Sequence, residues 1–173
     1  LFASTGTHWS YHAVYDVWQA LRAELNPGMR RPLPAFELRS RALAAPQAND
    51  RDMLLLLNLL VNPANPAKVP NPVLVPQTRL PQDRLPRILW VHDSFGWNLI
   101  EQLYAANAAQ PSESLYYFST AMRIPGGKPL PLKVETIHWP EFIGQYDAVL
   151  VVWTEIASEY DSWKFFATLD PQL

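Results

Sequence analysis

The chain contains no cysteine, which removes disulfides, thiolate nucleophiles and thiolate metal sites together. It has no run of about 18 apolar residues, so no segment reads as a membrane-spanning helix. The longest apolar stretch, residues 53–61, is interrupted by Asn58 and reads as part of a buried helix. A basic surplus is also missing. Lys and Arg number 14 against 16 Asp and Glu, for a net charge of −2, and no basic run suggests a nucleic-acid partner. The four histidines show no spacing that sets two on one helix face, so no metal site is expected. Gly126-Gly127 lacks the strand-loop-helix setting of a phosphate cradle, so no nucleotide cofactor is expected either. The chain opens at Leu1 with neither an initiator methionine nor a signal peptide.

What remains is one domain's worth of sequence. At 173 residues and 49% hydrophobic content, the chain can bury a core. Residues 10–25 read as an amphipathic helix, with Val14, Val17, Trp18, Leu21 and Leu25 in one stripe, stopped by Pro27 and Gly28. A Pro- and Arg-rich connection covers 27–46, and a second helix is expected over 50–60, capped by Asn49 or Asp50. Seven prolines between Val61 and Pro86 make 61–87 an extended connection, with a short edge strand at 73–75. Strand 88–91, helix 96–107, the segment 115–118, a turn at 125–129, a strand at 134–137 and a helix at 139–146 follow. The Val/Leu run 148–153 reads as a strand buried on both faces. Strands alternating with helices indicate an α/β fold with a mostly parallel sheet, 88–91 and 148–153 running parallel within it. In such folds the site lies beyond the strand C-termini, where Ser94 and Glu155 fall.

Ser94 is the first candidate. It sits in Val91-His92-Asp93-Ser94-Phe95-Gly96-Trp97, where an apolar strand turns into a helix. That junction can push a hydroxyl out beyond the sheet edge and aim the serine's own N–H at a developing oxyanion. The competing reading is a plain helix N-cap, by the serine or the aspartate. A nucleophilic serine needs a base. His8 is the candidate, on the loop before the first helix in Gly6-Thr7-His8-Trp9.

Together these motifs resemble the permuted SGNH-hydrolase domains of bacterial polysaccharide O-acetyltransferases, the alginate AlgX/AlgJ family. In that family Asp-x-His-Trp comes first and Asp-Ser-Phe later; here the matches are Gly6-Thr7-His8-Trp9 and Asp93-Ser94-Phe95. Tyr146 to Glu155 resembles the family's last buried strand, and Asn49-Asp50-Arg51-Asp52-Met53-Leu54 resembles a short segment after its first helix. The resemblance implies an SGNH-like fold and serine-dependent O-acetyl transfer to, or removal from, an exopolysaccharide. It implies Ser94 as nucleophile and His8 as base, with Ser94 N–H as one oxyanion donor and no second donor evident. It also implies an acetyl donor handed on by a membrane O-acyltransferase, and an exported, periplasmic setting. The family's His-Trp motif lies behind earlier strands, whereas seven residues precede His8 here. Residues 1–173 are therefore expected to be a single SGNH-like domain or its C-terminal portion, part of a larger polypeptide with sheet surface left to cover.

The family's aspartate, two residues before the histidine, is Gly6 here. Asp16 or Glu155 could substitute, the site could work slowly as a dyad, or the chain could be a non-catalytic carbohydrate-binding or assembly component of an export machine. The expectation is an unfilled space beside His8, with Gly6→Asp restoring a rate that losing such an acid lowers by about 10⁴. Among the seven tryptophans, Trp9 and Trp97 are candidates for stacking on sugar, while Trp90 and Trp153 read as core. Arg123, expected in a loop, could bind an anionic sugar or an oxyanion, or be merely solvated. His92 reads as a strand-end residue, His12 as solvent-facing and His138 as a loop residue.

Overall fold

Every residue of the segment Ile88–His92 is buried, and its side chains divide between two apolar clusters. Ile88 and Trp90 join Val14, Trp18, Leu99 and Leu103 on one face; Leu89 and Val91 join Leu115, Phe118, Trp139 and Phe165 on the other. Alternation of this kind is what a strand covered on both faces requires.

The computed structural model describes residues 8–46, 48–53, 67–155 and 165–169. Within them the elements run α1 (Tyr11–Leu25), β1 (Phe36–Ala44), β2 (Val69–Pro76), β3 (Ile88–His92), α2 (Trp97–Ala105), β4 (Ser112–Tyr116), β5 (Thr120–Ile124), β6 (Leu130–Pro131), α3 (Trp139–Ile143), β7 (Ala148–Val152) and α4 (Phe165–Leu169). Five strands form one sheet in the order β6-β5-β4-β3-β7, and β1 pairs with β2 in a separate antiparallel ribbon.

The fold is mixed α/β, and β3 runs parallel to β7 with Ile88 opposite Ala148 and His92 opposite Val152, the pairing expected from the two apolar runs. The sheet as a whole is not mostly parallel. β3 pairs parallel with β4, but β4–β5 and β5–β6 are antiparallel. The reversal comes at Tyr117 and Phe118, both in the left-handed region with φ of 49° and 48°. That three-residue turn is far too short for a parallel crossover. Neither residue type advertises a positive φ, so the sequence carried no hairpin signal there.

Three other expectations change. Residues 27–46 hold a nine-residue strand, β1, where a plain connection was expected. The edge strand at 73–75 extends over Val69–Pro76, with Pro70 and Pro72 tolerated because β2 has a partner on one side only in its two-stranded ribbon. Residues 134–137 are not a strand: Val134–Thr136 is a 3₁₀ turn, held by Thr136 N–H and Oγ both donating to the Lys133 carbonyl. Of the helix expected over 50–60, Asp52 and Met53 are helical after a 3₁₀ turn at Ala48–Arg51, and 54–60 lie outside the described residues.

The lower end of β3 is anchored electrostatically. The Asp147 carboxylate accepts Arg87 N–H at 2.9 Å and Arg31 at 3.0 Å, with Arg30 at 3.3 Å. Burial alone would raise its pKa; these bonds and cations outweigh that and lower it. The anchor fixes where β7 begins, and so sets the register that carries Val152 to the level of His92.

Two substitutions test the two-faced burial of β3. Leu89→Ala is expected to cost about 2–5 kcal/mol in urea denaturation, as for other buried leucines. Arg123→Ala, exposed on β5, is expected to stay within about 0.5 kcal/mol of wild type. A small loss at Leu89 would contradict the two-cluster packing.

Candidate active site

The chain leaves β3 at His92 and enters a 3₁₀ turn, Ser94–Gly96, that runs directly into α2. The cap of this turn is Asp93, not Ser94. One Asp93 carboxylate oxygen accepts Phe95 N–H at 2.8 Å and the other accepts Thr154 N–H at 2.7 Å. The carboxylate thus binds the turn that bears Ser94 to Thr154, beyond β7. Ser94, relieved of capping, turns its hydroxyl elsewhere. Gly96 is required for close approach, since a Cβ there would lie 2.7 Å from the His92 ring.

Ser94 Oγ lies 2.7 Å from His8 Nε2. The two residues are 86 positions apart in sequence, and the loop before α1 is fastened beside the contact through Trp9, the residue after His8. Trp9 donates its indole N–H to the Phe95 carbonyl, and the buried Asn98 amide donates to the Trp9 carbonyl. The His8 ring also packs on Phe95, with centroids 4.6 Å apart.

The other imidazole nitrogen is occupied as well. His8 Nδ1 is hydrogen-bonded to Asp52 Oδ2, and both side chains are largely shielded, at 14% and 18% exposed. The expected unfilled space beside His8 is therefore corrected: a carboxylate is there, supplied by a residue 44 positions downstream. Gly6 lies outside the described residues. Asp16 and Glu155 are both exposed, and the acid on the imidazole is neither of them. Asp52 stood within the segment matched to the family, but nothing in its local pattern marked it for His8. A tautomer with its proton on Nδ1 satisfies both contacts, Nδ1–H donating to Asp52 and Nε2 accepting from the Ser94 hydroxyl.

A residue that sequence reasoning passed over completes the surroundings. Tyr117 points its hydroxyl at Ser94 Oγ, 3.4 Å away. Trp9 and Trp97 both flank the turn, half-buried against the first cluster, with Trp97 edge-on to His92 at 4.7 Å. Arg123 is not brought to the serine: it is exposed on β5 opposite Glu113, toward the end of β4 away from Tyr116. It is a strand residue, not the loop residue expected. His12 is half-buried rather than solvent-facing, and His138 is a loop residue just before α3, beside Glu141. Among the described residues, no group of three or more His, Asp or Glu is placed to hold a metal ion.

His92, buried under the Ser94 turn, is a structural histidine with a consequence for pH. Its Nδ1 faces the Asp93 carbonyl at 2.6 Å and its Nε2 faces Ser114 Oγ at 2.6 Å. Burial lowers its pKa from 6.5 to about 4, although the Asp93 carbonyl and carboxylate pull the other way. The unfolded chain therefore takes up a proton that the folded one refuses between those values. Stability from this group is complete above pH 6.5 and is lost as pH falls toward 4, by about 3 kcal/mol. His92→Gln is expected to flatten the pH dependence of the urea midpoint over that window; an unchanged slope would place the titration elsewhere. Comparison of the chain with protein families, with curated proteins and with solved structures gives no match, so the case for this site rests on its own geometry.

Proposed function

We propose that this chain is a serine-dependent acyl-transfer enzyme acting on O-acetylated carbohydrate, with Ser94 as nucleophile, His8 as general base and Asp52 as the orienting acid. The observation that carries the reading is the continuous chain from Ser94 Oγ through both nitrogens of His8 to the Asp52 carboxylate. A lone serine–histidine contact occurs in many structural settings. The second contact, to a shielded carboxylate, fixes the tautomer that leaves Nε2 able to accept a proton.

The chemistry follows from that arrangement. Ser94 Oγ attacks the ester carbonyl while His8 Nε2 takes its proton, and the imidazolium so formed faces Asp52. The carbonyl pair moves onto oxygen, where Ser94 N–H donates to it. Collapse expels the donor's alcohol, which takes the proton back from His8, and leaves an acetyl ester on Ser94. His8 then deprotonates the acceptor that attacks this ester: a sugar hydroxyl makes the protein a transferase, water an esterase. Acetyl and polysaccharide enter through the resemblance of His8-Trp9 and Asp93-Ser94-Phe95 to the alginate-type O-acetyltransferases. An exported setting and a membrane acyltransferase as acetyl source belong to the same proposal. The non-catalytic, binding-component reading drew its support from a missing carboxylate, and Asp52 removes that argument.

Hydrolysis of p-nitrophenyl acetate and labelling by a fluorophosphonate test the assignment. Wild type is expected to turn over slowly and to be labelled at Ser94, and Ser94→Ala to do neither. Asp52→Asn keeps the shape but inverts the hydrogen-bond preference at Nδ1, and is expected to lower kcat by about 10⁴. Equal turnover in wild type and Ser94→Ala would remove Ser94 as nucleophile. Acetyl appearing on an added oligosaccharide would mark the transferase.

A further inference from the structure

An acyl-transfer site needs more than one donor for its oxyanion, and the backbone here supplies few. After Ser94, the next two amides of the turn are already engaged: Phe95 N–H by the Asp93 carboxylate and Gly96 N–H by the Asp93 carbonyl. Thr154 N–H, the nearby amide beyond β7, is also held by Asp93. The capping that frees the Ser94 hydroxyl thus uses up the amides that a serine hydrolase would otherwise aim at substrate.

We infer that the Tyr117 hydroxyl is the second oxyanion donor of this site. The inference rests on the acyl-transfer reading and adds to it a residue that touches the reacting atoms. At rest, Tyr117 Oη–H donates to Ser94 Oγ at 3.4 Å, while Oγ–H donates to His8 at 2.7 Å. The serine oxygen is flanked by a base on one side and a neutral donor on the other. When Oγ bonds to the carbonyl carbon, its proton passes to His8 and the carbonyl π pair becomes the oxyanion, one bond from that carbon. Tyr117 Oη–H then moves from Oγ, which has lost its readiness to accept, to the oxygen that has gained a charge. No proton leaves Tyr117 at any step; the donor returns to Oγ when the acyl group departs.

The backbone holds this donor at a conformational cost. Tyr117 and Phe118 are consecutive non-glycine residues with φ of 49° and 48°. Left-handed backbone is unfavourable for any residue with a Cβ, and strain of this kind collects where a side chain must be aimed. Tyr117 N–H donates to the His92 carbonyl at 2.8 Å, tying the turn to the end of β3 that bears the nucleophile. The ring is braced from behind: it meets Tyr116 at 4.5 Å, and Tyr116 in turn packs on Trp97 and His92. A donor so fixed needs little reorganisation when charge develops, which is the condition for an effective oxyanion hole.

Tyr117→Phe removes the hydroxyl and keeps the ring. On p-nitrophenyl acetate it is expected to lower kcat by about 10²–10³ with KM little changed. The His8 limb of the pH profile should stay in place, because base and acid are untouched. The matching thionoester separates an oxyanion role from a structural one. Sulfur is a poor acceptor, so wild type should strongly prefer the oxygen ester, and Tyr117→Phe should lose most of that preference. This ratio is taken within one protein and does not depend on how much of the variant is folded. If wild type is labelled at Ser94 but Tyr117→Phe keeps its rate and its oxygen-to-sulfur ratio, the inference is overturned and acyl transfer stands. If wild type neither labels nor turns over, acyl transfer falls, and the role of Tyr117 falls with it.

Discussion

The carboxylate of Asp93 is the constraint on which the rest of this site depends. By accepting amides from Phe95 and Thr154 it closes the turn after β3 and joins the ends of two parallel strands. A capping serine would have folded its hydroxyl back onto the helix N-terminus. With aspartate in that position, the serine one residue later is left to meet His8. Of the two readings of the motif, the cap falls to Asp93, and the serine is left in contact with the imidazole.

The same economy explains the loop that brings His8. Residues 8–10 have no regular structure beyond a bridge at Trp9, yet two hydrogen bonds rivet them to the Ser94 turn and the start of α2, and the first residue of a long helix follows immediately. α1 is itself held by Val14 and Trp18 in the same core that receives Trp90 from β3. His8 and Ser94 therefore belong to one packed body, although 86 residues separate them. A site built this way depends on burial of the helix stripe as much as on the contacts of the imidazole.

Much of this was legible in the sequence because it was local or periodic. The stripe of α1, the buried run of β3 and the apolar run of β7 each announced an element, and the parallel pairing of the last two followed from their apolar runs. But β7, expected to be buried on both faces, lies at the edge of the described sheet with only Leu150 buried. Ser94 and His8 stood out through short motifs. Asp52 did not: its partner lies 44 residues away, and its neighbours describe only the start of a helical segment. Tyr117 was hidden for another reason. Its position beside Ser94 depends on a left-handed backbone that tyrosine seldom adopts, and the same two residues concealed the hairpin that makes the sheet mixed. Arg123 was misplaced with it, because a loop reading of that stretch left no room for β5. The strand β1 escaped because Pro and Arg around it suggested a connection, and its partner β2 lies beyond a long insertion.

The central claim is that Asp52, across His8, prepares Ser94 to lose its proton. Nitrogen-15 and proton NMR of labelled His8 test it directly. The account expects a neutral ring protonated at Nδ1, with that proton shifted far downfield by the carboxylate, and expects the signal to move upfield in Asp52→Asn. A ring protonated at Nε2, or a Nδ1 proton indifferent to Asp52, would contradict it.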